Sequence, residues 1–443
     1  MSHGYIVVER YRQPFAGTTH LLGAKNAALV IIASLILAPG KSILRNVPLS
    51  EDVHQMLELL VSLGATATIH PHDHTILVDT STITSWTGSV EAMRKTRASI
   101  LILGPLLARF GRAHVGLPGG DAIGKRPIDY HLKNFVKMGA TISECSGTIS
   151  AVAHPLRSAR LVLEYPSVGA TENALMAATL AQGTTTIINA ALEPEVFDLI
   201  RVLQAMGASI TIEPPATIVI QGVSTLSPVE HTLISDRLEA GALLTAVAMT
   251  GGSIYLPDAP AYLLDIFLEK LSEMGHTISV GAQGLGVTLQ ATSTPCAVSI
   301  KTAPYPGFPT DLQATFMAAQ TVAQGSCVIE ETVFENRLSH AYEFAKMGAC
   351  IKVEYNKVYI TGVEQLTGTY VTATDIRASC ALVLAGLIAQ GTTTVAGLHH
   401  WKRGYEALEK KLQLLGAGIT LSDQPVSTVS IPSLSATESQ IIL

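Results

Sequence analysis

The chain repeats one sequence unit six times, and this repetition constrains its fold more than any other feature. Each copy runs from a glycine turn through a β-type segment and an amphipathic segment to a second glycine, and another β-type segment follows. The opening glycines are Gly40, Gly111, Gly183, Gly251, Gly325 and Gly391, and the second glycines are Gly64, Gly139, Gly207, Gly275, Gly348 and Gly416. Because a repeated sequence unit builds a repeated structural unit, we expect six similar modules.

The segment before each opening glycine predicts a buried helix. These segments are apolar and carry almost no charge along their length, and they span 25–37, 97–108, 170–181, 237–249, 311–323 and 377–389. A helix that is apolar all round is buried, whereas segments such as 50–63 and 194–206 have apolar residues three and four apart and belong on the surface. Each unit therefore contributes one inner helix, one outer helix and several short strands.

Six such units predict an α/β fold of two similar lobes, each with three units around its own buried inner helices. The first lobe is expected at 22–235, and the second at 1–21 plus 236–443. The strand predicted at 5–9 pairs back into the second lobe. The segment 422–443, rich in Ser and Thr, is expected to be a flexible tail. A cleft between two lobes is a common place for a ligand.

Composition excludes several classes of protein. The chain has 443 residues, of which 48% are hydrophobic and 14% charged. Its longest apolar runs, 27–39 and 98–108, are shorter than the roughly 20 residues that a membrane-crossing helix needs, and 1–13 has no signal segment. The sequence therefore predicts a cytoplasmic protein without membrane contact. Its net charge of −6 argues against nucleic-acid binding, and its five scattered cysteines are interpreted as free thiols.

The second copy of the repeat is the longest, and its extra residues lie in 117–127. This segment is rich in glycine and proline, so it predicts a mobile loop that can fold over a ligand. It presents Asp121, Lys125 and Arg126 within a short stretch, with Asp129 just beyond it. It lacks the Gly-Lys-Ser/Thr of a P-loop. A solvated turn is the alternative interpretation.

Four of the six inner helices begin with a cation, namely Lys25, Arg97, Arg237 or Arg377. A helix N-terminus already has a positive potential, so this is the unfavourable sign. One such residue would be explained by solvation, but four predict an anion, a phosphate or a carboxylate, bound at these helix starts. Asp311 opens the fifth inner helix with the opposite charge, and the sequence leaves open whether it is an N-cap or a catalytic base.

Two histidine groups resemble metal sites but do not support one. The first, 70–74, alternates His with other residues between two β-type runs, where the other copies have hairpin turns. The second, His399-His400, consists of adjacent residues, which point apart on a helix or a strand. Neither has a zinc-type ligand spacing, so no metal and no cofactor is predicted.

Several motifs distributed over nearly the whole chain resemble those of the enolpyruvyl transferases. They are Gly23-Ala24-Lys25-Asn26, Arg97-Ala98-Ser99, Leu117-Pro118-Gly119-Gly120, Arg126-Pro127-Ile128-Asp129, Phe308-Pro309-Thr310-Asp311, Glu335-Asn336-Arg337, Asp375-Ile376-Arg377 and Arg403-Gly404-Tyr405-Glu406. The resemblance is to the members whose acceptor is UDP-N-acetylglucosamine. Members that act on shikimate 3-phosphate are expected to have Lys-Ser at the first motif, where this chain has Lys25-Asn26.

The resemblance implies an inside-out α/β barrel in each lobe and a metal-free addition–elimination reaction. The enolpyruvyl group of phosphoenolpyruvate would move to the 3-hydroxyl of UDP-N-acetylglucosamine, in the first committed step of peptidoglycan precursor synthesis, in a protein expected to be a monomer. The catalytic residues would be Asp121, Asp311, Lys25 and Arg403. Phosphoenolpyruvate would be bound by Lys25, Asn26, Arg126, Arg377 and Arg403. The nucleotide sugar would be bound by Asn26, Arg97, Arg126, Pro127, Ile128, Asp129, Tyr130, Ser167, Val168, Gly169, Asp311 and Val333.

This chain departs from the family pattern at three places. Asp121 replaces the usual loop cysteine, the general acid that the antibiotic fosfomycin alkylates. A carboxylic acid can serve as the acid if its pKa is raised, for example by a bound phosphate, and it is a poorer nucleophile than a thiolate. We therefore expect a lower pH optimum and insensitivity to fosfomycin. Tyr165-Pro166 replaces a pair that usually contains Lys, and Lys402 replaces a common acidic residue.

Two alternative functions stay open at this stage. One is transfer to a different hydroxyl, with shikimate 3-phosphate as the acceptor. The other is a catalytically silent homologue that binds the nucleotide sugar. Phosphate release from phosphoenolpyruvate in the presence of each acceptor distinguishes all three.

Overall fold

In the computed structural model, which describes residues 4–10, 13–125 and 127–423, every marker glycine of the repeat has a positive φ. Gly111 ends an inner helix with φ 68°, and Gly64 follows an outer helix with φ 110°. Residues with a Cβ rarely adopt this left-handed conformation, whereas glycine does so readily and commonly ends helices. The repeat therefore marks the points at which each unit turns from helix to strand.

The elements alternate as the repeat predicts. The α-helices are α1 (Lys25–Ser34), α2 (Glu51–Ser62), α3 (Val90–Met93), α4 (Leu103–Phe110), α5 (Asp129–Lys137), α6 (Val168–Ala178), α7 (Pro194–Ala205), α8 (Arg237–Thr250), α9 (Asp265–Glu273), α10 (Thr310–Gln320), α11 (His340–Lys346), α12 (Ile376–Ile388), α13 (Leu398–Gly404) and α14 (Leu408–Leu414). Short 3₁₀ segments lie at Leu35–Leu37, Arg97–Ile102, Ala261–Leu263 and Ala282–Gly284.

The strands are short and lie between these helices. They are β1 (Tyr5–Glu9), β2 (Phe15–Thr18), β3 (Lys41–Arg45), β4 (Thr66–His70), β5 (Thr75–Asp79), β6 (Arg112–Gly116), β7 (Thr141–Cys145), β8 (Thr148–Val152), β9 (Arg160–Val162), β10 (Thr184–Ile188), β11 (Ser209–Glu213), β12 (Thr217–Gln221), β13 (Glu230–Thr232), β14 (Gly252–Pro260), β15 (Thr277–Val280), β16 (Leu285–Gln290), β17 (Ile300–Lys301), β18 (Ser326–Glu330), β19 (Cys350–Glu354), β20 (Lys357–Thr361), β21 (Tyr370–Thr372), β22 (Thr392–Ala396) and β23 (Gly418–Ser422).

The strands of the described residues form six small sheets, so the fold is α/β with many small sheets. The strand orders are β13-β3-β5-β4, β6-β8-β7, β11-β12-β10-β9, β15-β16-β14-β2, β17-β18-β20-β19 and β21-β22-β1-β23. Five of the sheets mix parallel and antiparallel pairs, whereas β6, β7 and β8 pair antiparallel throughout. Strand β1 pairs antiparallel with β22 and β23 of the sixth unit, which confirms the prediction that 5–9 pairs with strands of the second half of the chain.

Buried inner helices form the centres of two separate hydrophobic cores. The first core is made of residues between 24 and 233, and the second of residues between 6 and 21 and between 238 and 419. Helix α1 shows the pattern, because every residue in it except Asn26 is buried. Helices α8, α10 and α12 pack against one another in the second core. The exact lobe boundaries and the inside-out barrel within each lobe stay predictions.

The predicted tail requires a correction at its start. Ser422 is the last residue of β23 and pairs with Tyr5, because the alternating apolar residues of this strand continue the sheet of the sixth unit. The rest of the predicted tail, 424–443, lies outside the described residues. Within the described ranges, no helix is long and apolar enough to cross a membrane.

Candidate active site

A cavity of about 670 Å³ is lined by residues that belong to both halves of the chain. Helices α1, α6, α8, α10 and α12 present their first turns to it, and the segment after β6 contributes Asp121 and Ile123. Most of the predicted site residues lie on its wall, namely Lys25, Asn26, Arg97, Asp121, Pro127, Tyr130, Ser167, Val168, Gly169, Asp311, Val333, Arg377 and Arg403. The structure therefore brings together residues that are almost 380 positions apart in the sequence.

Two predicted residues that the structure describes, Ile128 and Asp129, do not line this wall. Ile128 packs against the first hydrophobic core. Asp129 opens α5 and forms an ion pair of 2.8 Å with Lys133, because residues four apart on a helix face each other. Arg126 lies outside the described residues.

Asp52 joins two of the predicted phosphoenolpyruvate ligands, and the sequence analysis missed it. Its Oδ2 lies 3.2 Å from Lys25 Nζ, and its Oδ1 accepts a hydrogen bond of 2.8 Å from Arg403 Nε. The side chain is only 3% exposed. An acidic residue in the first turn of a helix is common because it suits the helix dipole, so nothing in the local sequence marks Asp52 as a site residue.

The loop acid Asp121 is buried against the second half of the chain. Its Oδ1 accepts a hydrogen bond of 2.6 Å from Arg403 Nη1 and lies 3.3 Å from His400 Nδ1, and its Oδ2 accepts from the backbone N of Ile376 at 3.4 Å. Burial by itself would raise the pKa of Asp121, but the contact with His400 and the charge of Arg403 hold that pKa well below its usual range. In this arrangement Asp121 is therefore a carboxylate.

The glycine-rich loop touches the other half of the chain through Asp121 and Ile123, while Leu117, Gly120, Ala122 and Lys125 are exposed to solvent. The backbone N of Asn336 donates to the carbonyl of Ile123 at 3.1 Å, and the Ile123 side chain is buried. Asp121 is 10% exposed. Asp121 and Ile123 are therefore not part of a fully solvated turn, while the mobility of the loop stays a prediction.

Asp311 forms ion pairs with two arginines and does not cap its helix. It is the second residue of α10, whose N-cap is Pro309. Its Oδ1 lies 2.7 Å from Arg337 Nη2, and its Oδ2 lies 2.8 Å from Arg377 Nη2. Burial acts to raise the pKa of Asp311, but the charges of Arg377 and Arg337 outweigh it and lower that pKa well below the usual range. The side chain keeps 24% exposure, so it is an ionised carboxylate that a ligand in the cavity can reach.

Three of the cations at the helix starts, Lys25, Arg237 and Arg377, are paired with carboxylates of the protein itself. Arg237 forms two hydrogen bonds with Glu195, at 3.1 and 3.2 Å, and both side chains are buried. Asp236 and Asp375 cap α8 and α12. The expected compensating anion is therefore present before any ligand binds. A ligand phosphate would have to compete with these carboxylates.

The first half of the chain also places an acidic group on the cavity wall near Arg237. Glu172, Glu193 and Glu195 line this region. Burial is the main reason that the pKa of Glu172 lies well above its ordinary value and that the pKa of Glu193 is raised, and the neighbouring glutamates add to both shifts. Tyr165, on the same wall, has a raised pKa because of burial and the charges of Glu193 and Glu331. This part of the wall therefore has less positive charge than it would have with the Lys that the family pattern usually places in the pair at 165–166.

His400 is the second site residue that the sequence analysis missed. The rings of His399 and His400 lie with their centroids 4.0 Å apart, so the expectation that these neighbours point apart is wrong. Helix α13 is short and ends at Gly404, and its position against α12 directs His400 towards Asp121.

Among the residues that the structure describes, no group of three or more His, Cys, Asp or Glu side chains is placed to hold a metal ion.

The chain is similar to known proteins over most of its length. Residues 10–412 match the EPSP synthase (3-phosphoshikimate 1-carboxyvinyltransferase) family. The UDP-N-acetylglucosamine 1-carboxyvinyltransferase of Dichelobacter nodosus is 48% identical over 91% of this chain and 96% of its own. A UDP-N-acetylglucosamine 1-carboxyvinyltransferase of Caldanaerobacter subterraneus is 47% identical over 93% of this chain and 98% of its own.

Solved structures show the same fold. The enolpyruvyl transferase NikO from Streptomyces tendae superposes with a TM-score of 0.86 at 26% identity, over 96% of this chain and all of its own. An EPSP synthase from Acinetobacter baumannii superposes with a TM-score of 0.75 at 18% identity, over 95% of this chain and all of its own, and this likeness concerns the fold alone.

Proposed function

Because the chain belongs to the EPSP synthase family of enolpyruvyl transferases, we propose that it transfers the enolpyruvyl group of phosphoenolpyruvate to the 3-hydroxyl of UDP-N-acetylglucosamine and releases phosphate. In this role it would act in the cytoplasm, at the first committed step of peptidoglycan precursor synthesis. The observation that carries the proposal is one cavity that holds Lys25, Arg403 and the acid Asp121, together with Asp311. These groups supply anion binding, an acid and a base.

Phosphoenolpyruvate would bind to cations that are now paired within the protein. Lys25 and Arg403 share Asp52, and Arg403 also contacts Asp121. Phosphate and carboxylate groups bind well to such clusters, because charge-assisted hydrogen bonds are short and strong. Arg377 is held by Asp311, and Asn26 follows Lys25 at the start of α1. We assign Arg126 to this group from the family pattern alone.

Asp121 would protonate the methylene carbon of phosphoenolpyruvate. In the free protein the contact with His400 and the charge of Arg403 outweigh burial and keep it ionised. When the dianionic phosphate engages Arg403, Asp121 loses its cationic partner and faces a new negative charge, and both changes raise its pKa. The substrate thus creates the protonated acid that its own reaction requires. The expected lower pH optimum relative to a cysteine acid follows from the same argument.

Asp311 would accept the proton of the attacking hydroxyl. Two arginines keep it ionised, so it is an anion throughout the physiological pH range. Protonation at C3 makes C2 electrophilic, the 3-hydroxyl oxygen bonds to C2, and its proton moves to Asp311. In the elimination a methyl proton returns to Asp121, the bond from C2 to the phosphate oxygen breaks, and Asp311 returns its proton to the leaving phosphate. Protons and charge balance over the cycle.

The nucleotide sugar would occupy the part of the cavity lined by the first half of the chain. Ser167, Val168 and Gly169 form the start of α6, where Ser167 accepts from the backbone N of Ala170 at 3.4 Å and the free helix amides favour a diphosphate. Arg97 and Tyr130 lie on the same wall. The remaining assignments, which rest on the family pattern, are Asn26, Arg126, Pro127, Ile128, Asp129, Asp311 and Val333.

We also propose that the enzyme is insensitive to fosfomycin. The carboxylate of Asp121 is a poorer nucleophile towards an epoxide than a thiolate, and its ion pair with Arg403 lowers its reactivity further. Intact-mass spectrometry after incubation with fosfomycin tests this, because a mass increase that maps to Asp121 contradicts it.

Phosphate release tests the function itself. The protein is incubated with phosphoenolpyruvate and either UDP-N-acetylglucosamine or shikimate 3-phosphate, with Asp311→Asn as the inactive control. Release that requires the nucleotide sugar supports the proposal. Release only with shikimate 3-phosphate overturns the acceptor assignment, and binding of the nucleotide sugar without any release indicates a silent homologue.

A further inference from the structure

Helix α5 turns one buried imidazole towards the start of α6, at the cavity wall. His131 is 5% exposed and lines the cavity together with Gly169. A Cβ atom at position 169 would lie 3.3 Å from Cε1 of the ring and 3.5 Å from Nε2. The glycine therefore leaves room for the Cε1–Nε2 edge of the ring to approach the first turn of α6. Neither the proposed acid–base chemistry nor the proposed ligand contacts use this side chain.

The hydrogen bonds of Asn173 decide which ring nitrogen of His131 carries the hydrogen. The Oδ1 atom of Asn173 accepts from the backbone N of Gly104 at 2.8 Å, and its Nδ2 donates to the carbonyl of Ile100 at 2.9 Å. These two contacts fix the orientation of the amide, so Nδ2 also donates to His131 Nδ1, which lies 3.0 Å away. Because Nδ1 accepts, a neutral ring carries its hydrogen on Nε2. That N–H has no hydrogen-bond partner among the residues that the structure describes.

The ring is neutral, because burial and a neighbouring cation both oppose its protonation. Burial lowers the pKa of His131 to about 4, with the charge of Arg97 as the second cause, while Asp129 acts in the opposite direction. From α6 the group that faces the ring is the neutral amide of Asn173. Near neutral pH, His131 therefore presents one buried N–H donor to the cavity and adds no charge to it.

The first turn of α6 supplies backbone donors beside this N–H. Ser167 caps the helix, since its Oγ accepts from the backbone N of Ala170 and its carbonyl accepts from that of Thr171. The backbone amides of Val168 and Gly169 precede these hydrogen bonds, so they are the first-turn donors that a ligand can use. An anion at this helix start would therefore meet donors from two helices.

We infer that His131 donates its Nε2–H to the diphosphate of the nucleotide sugar at the start of α6. This inference rests on the proposed function, which places the diphosphate there. A buried N–H without a partner is unfavourable, and an anionic oxygen between it and the helix amides would satisfy it through a charge-assisted hydrogen bond. Because the donor is neutral, it positions the diphosphate without the repulsion that a second cation beside Arg97 would add.

Two substitutions at His131 separate this donor from the packing of the ring. His131→Asn places an amide near Nδ1, so it can keep the contact with Asn173, but it has no group at the position of Nε2. His131→Gln reaches that position with its amide and can restore the donor. The matched control is His276→Asn, because His276 is also buried, has a pKa lowered to about 4 by burial and accepts through Nδ1 from the backbone N of Thr292, but lies off the cavity wall.

Isothermal titration at pH 7.5 measures the Kd for UDP-N-acetylglucosamine, for UDP and for phosphoenolpyruvate. In His131→Asn we expect the Kd for both uridine nucleotides to rise about tenfold, and in His131→Gln to return to within about threefold of wild type. The Kd for phosphoenolpyruvate, and every Kd of His276→Asn, should stay within about twofold of wild type. Because the donor is neutral, the ratio of the UDP Kd in His131→Asn to that in wild type should stay constant within about twofold from pH 6 to pH 9.

Each opposite result overturns the inference. A loss with UDP-N-acetylglucosamine but not with UDP places the contact on the sugar, and a Kd ratio that falls as the pH rises shows that the donor is an imidazolium. A His131→Gln variant no better than His131→Asn at equal Tm, or a His131→Asn variant that matches His276→Asn, leaves only a packing role. If wild type binds both nucleotides but releases no phosphate from phosphoenolpyruvate, the proposed transfer fails and the Kd comparison still decides the role of His131.

Discussion

Replacing Asp121 by Asn is expected to tighten phosphoenolpyruvate binding while it stops turnover. In the free protein, the Asp121 carboxylate accepts a 2.6 Å hydrogen bond from Arg403, and both side chains are about one-tenth exposed. The substrate must break this contact to use Arg403. A hydrogen bond to a charged group contributes about 1.5–3 kcal/mol, and a neutral amide retains only part of it. Because 1.4 kcal/mol is a tenfold change, losing about half of this energy should lower the Kd for phosphoenolpyruvate by about 3- to 10-fold.

Isothermal titration of phosphoenolpyruvate into the free protein at pH 8 measures this effect without an acceptor and therefore without turnover. Asp258→Asn is the matched control, because it removes one exposed carboxylate that contacts His20 and leaves Arg403 untouched. Its Kd should stay within about twofold of wild type. An unchanged or weaker Kd for Asp121→Asn would refute the argument that the acid and the substrate compete for Arg403.

Three other substitutions test separate parts of the account. Asp121→Cys should remain active and gain a covalent fosfomycin adduct at position 121 by mass spectrometry; an active variant without an adduct contradicts the explanation of insensitivity. Tyr165→Lys should lower the KM for UDP-N-acetylglucosamine by about three- to tenfold, since it returns a cation to a wall that carries Glu193, and an unchanged KM places the diphosphate elsewhere. Burial lowers the pKa of His340 to about 4, and neither of its ring nitrogens has a hydrogen-bond partner among the described residues. The unfolded chain therefore binds a proton between pH 6.5 and 4 that the native state does not, and stability falls by about 1.4 kcal/mol per pH unit as pH drops through this window. His340→Phe should remove this loss, raising the free energy of unfolding by about 2 kcal/mol at pH 5 and changing it little at pH 8, as urea unfolding would show; an equal change at both pH values contradicts this.

The sequence predicted five of the six inner helices well because their signal is local. The prediction of one helix over 97–108 was wrong, because Arg97–Ile102 is a 3₁₀ helix and the α-helix spans Leu103–Phe110. Helix α8 spans Arg237–Thr250 and helix α12 spans Ile376–Ile388, each within about one residue of the predicted segments. An uncharged apolar run that ends at a glycine has few other structural solutions. The predictions for α1, α6 and α10 continue beyond the observed α-helices by about three residues, where the chain forms 3₁₀ or turn geometry.

The strand partners and the second layer of the site could not be predicted in the same way. Strand β13 pairs with β3, and β14 pairs with β2, across more than 180 residues, and no local pattern specifies such a partner. Asp52 and His400 belong to the site only because the fold brings distant segments together. Helix α2 places Asp52 against Arg403, and helix α13 places His400 against Asp121. Asp311 was noticed in the sequence, but its local position also suggested an N-cap. Only its ion pairs with the distant Arg337 and Arg377 distinguish the two interpretations.

The origin of the proton at C3 tests the central claim most directly. A single turnover in D₂O with UDP-N-acetylglucosamine is followed by mass spectrometry of the enolpyruvyl methylene group and of recovered phosphoenolpyruvate, for wild type, Asp121→Asn and Asp121→Cys. The account predicts deuterium at C3 for wild type and for Asp121→Cys. It predicts no incorporation and no product for Asp121→Asn, with nucleotide-sugar affinity within about twofold of wild type. Deuterium incorporation by Asp121→Asn at more than about a tenth of the wild-type rate would show that another group delivers the proton.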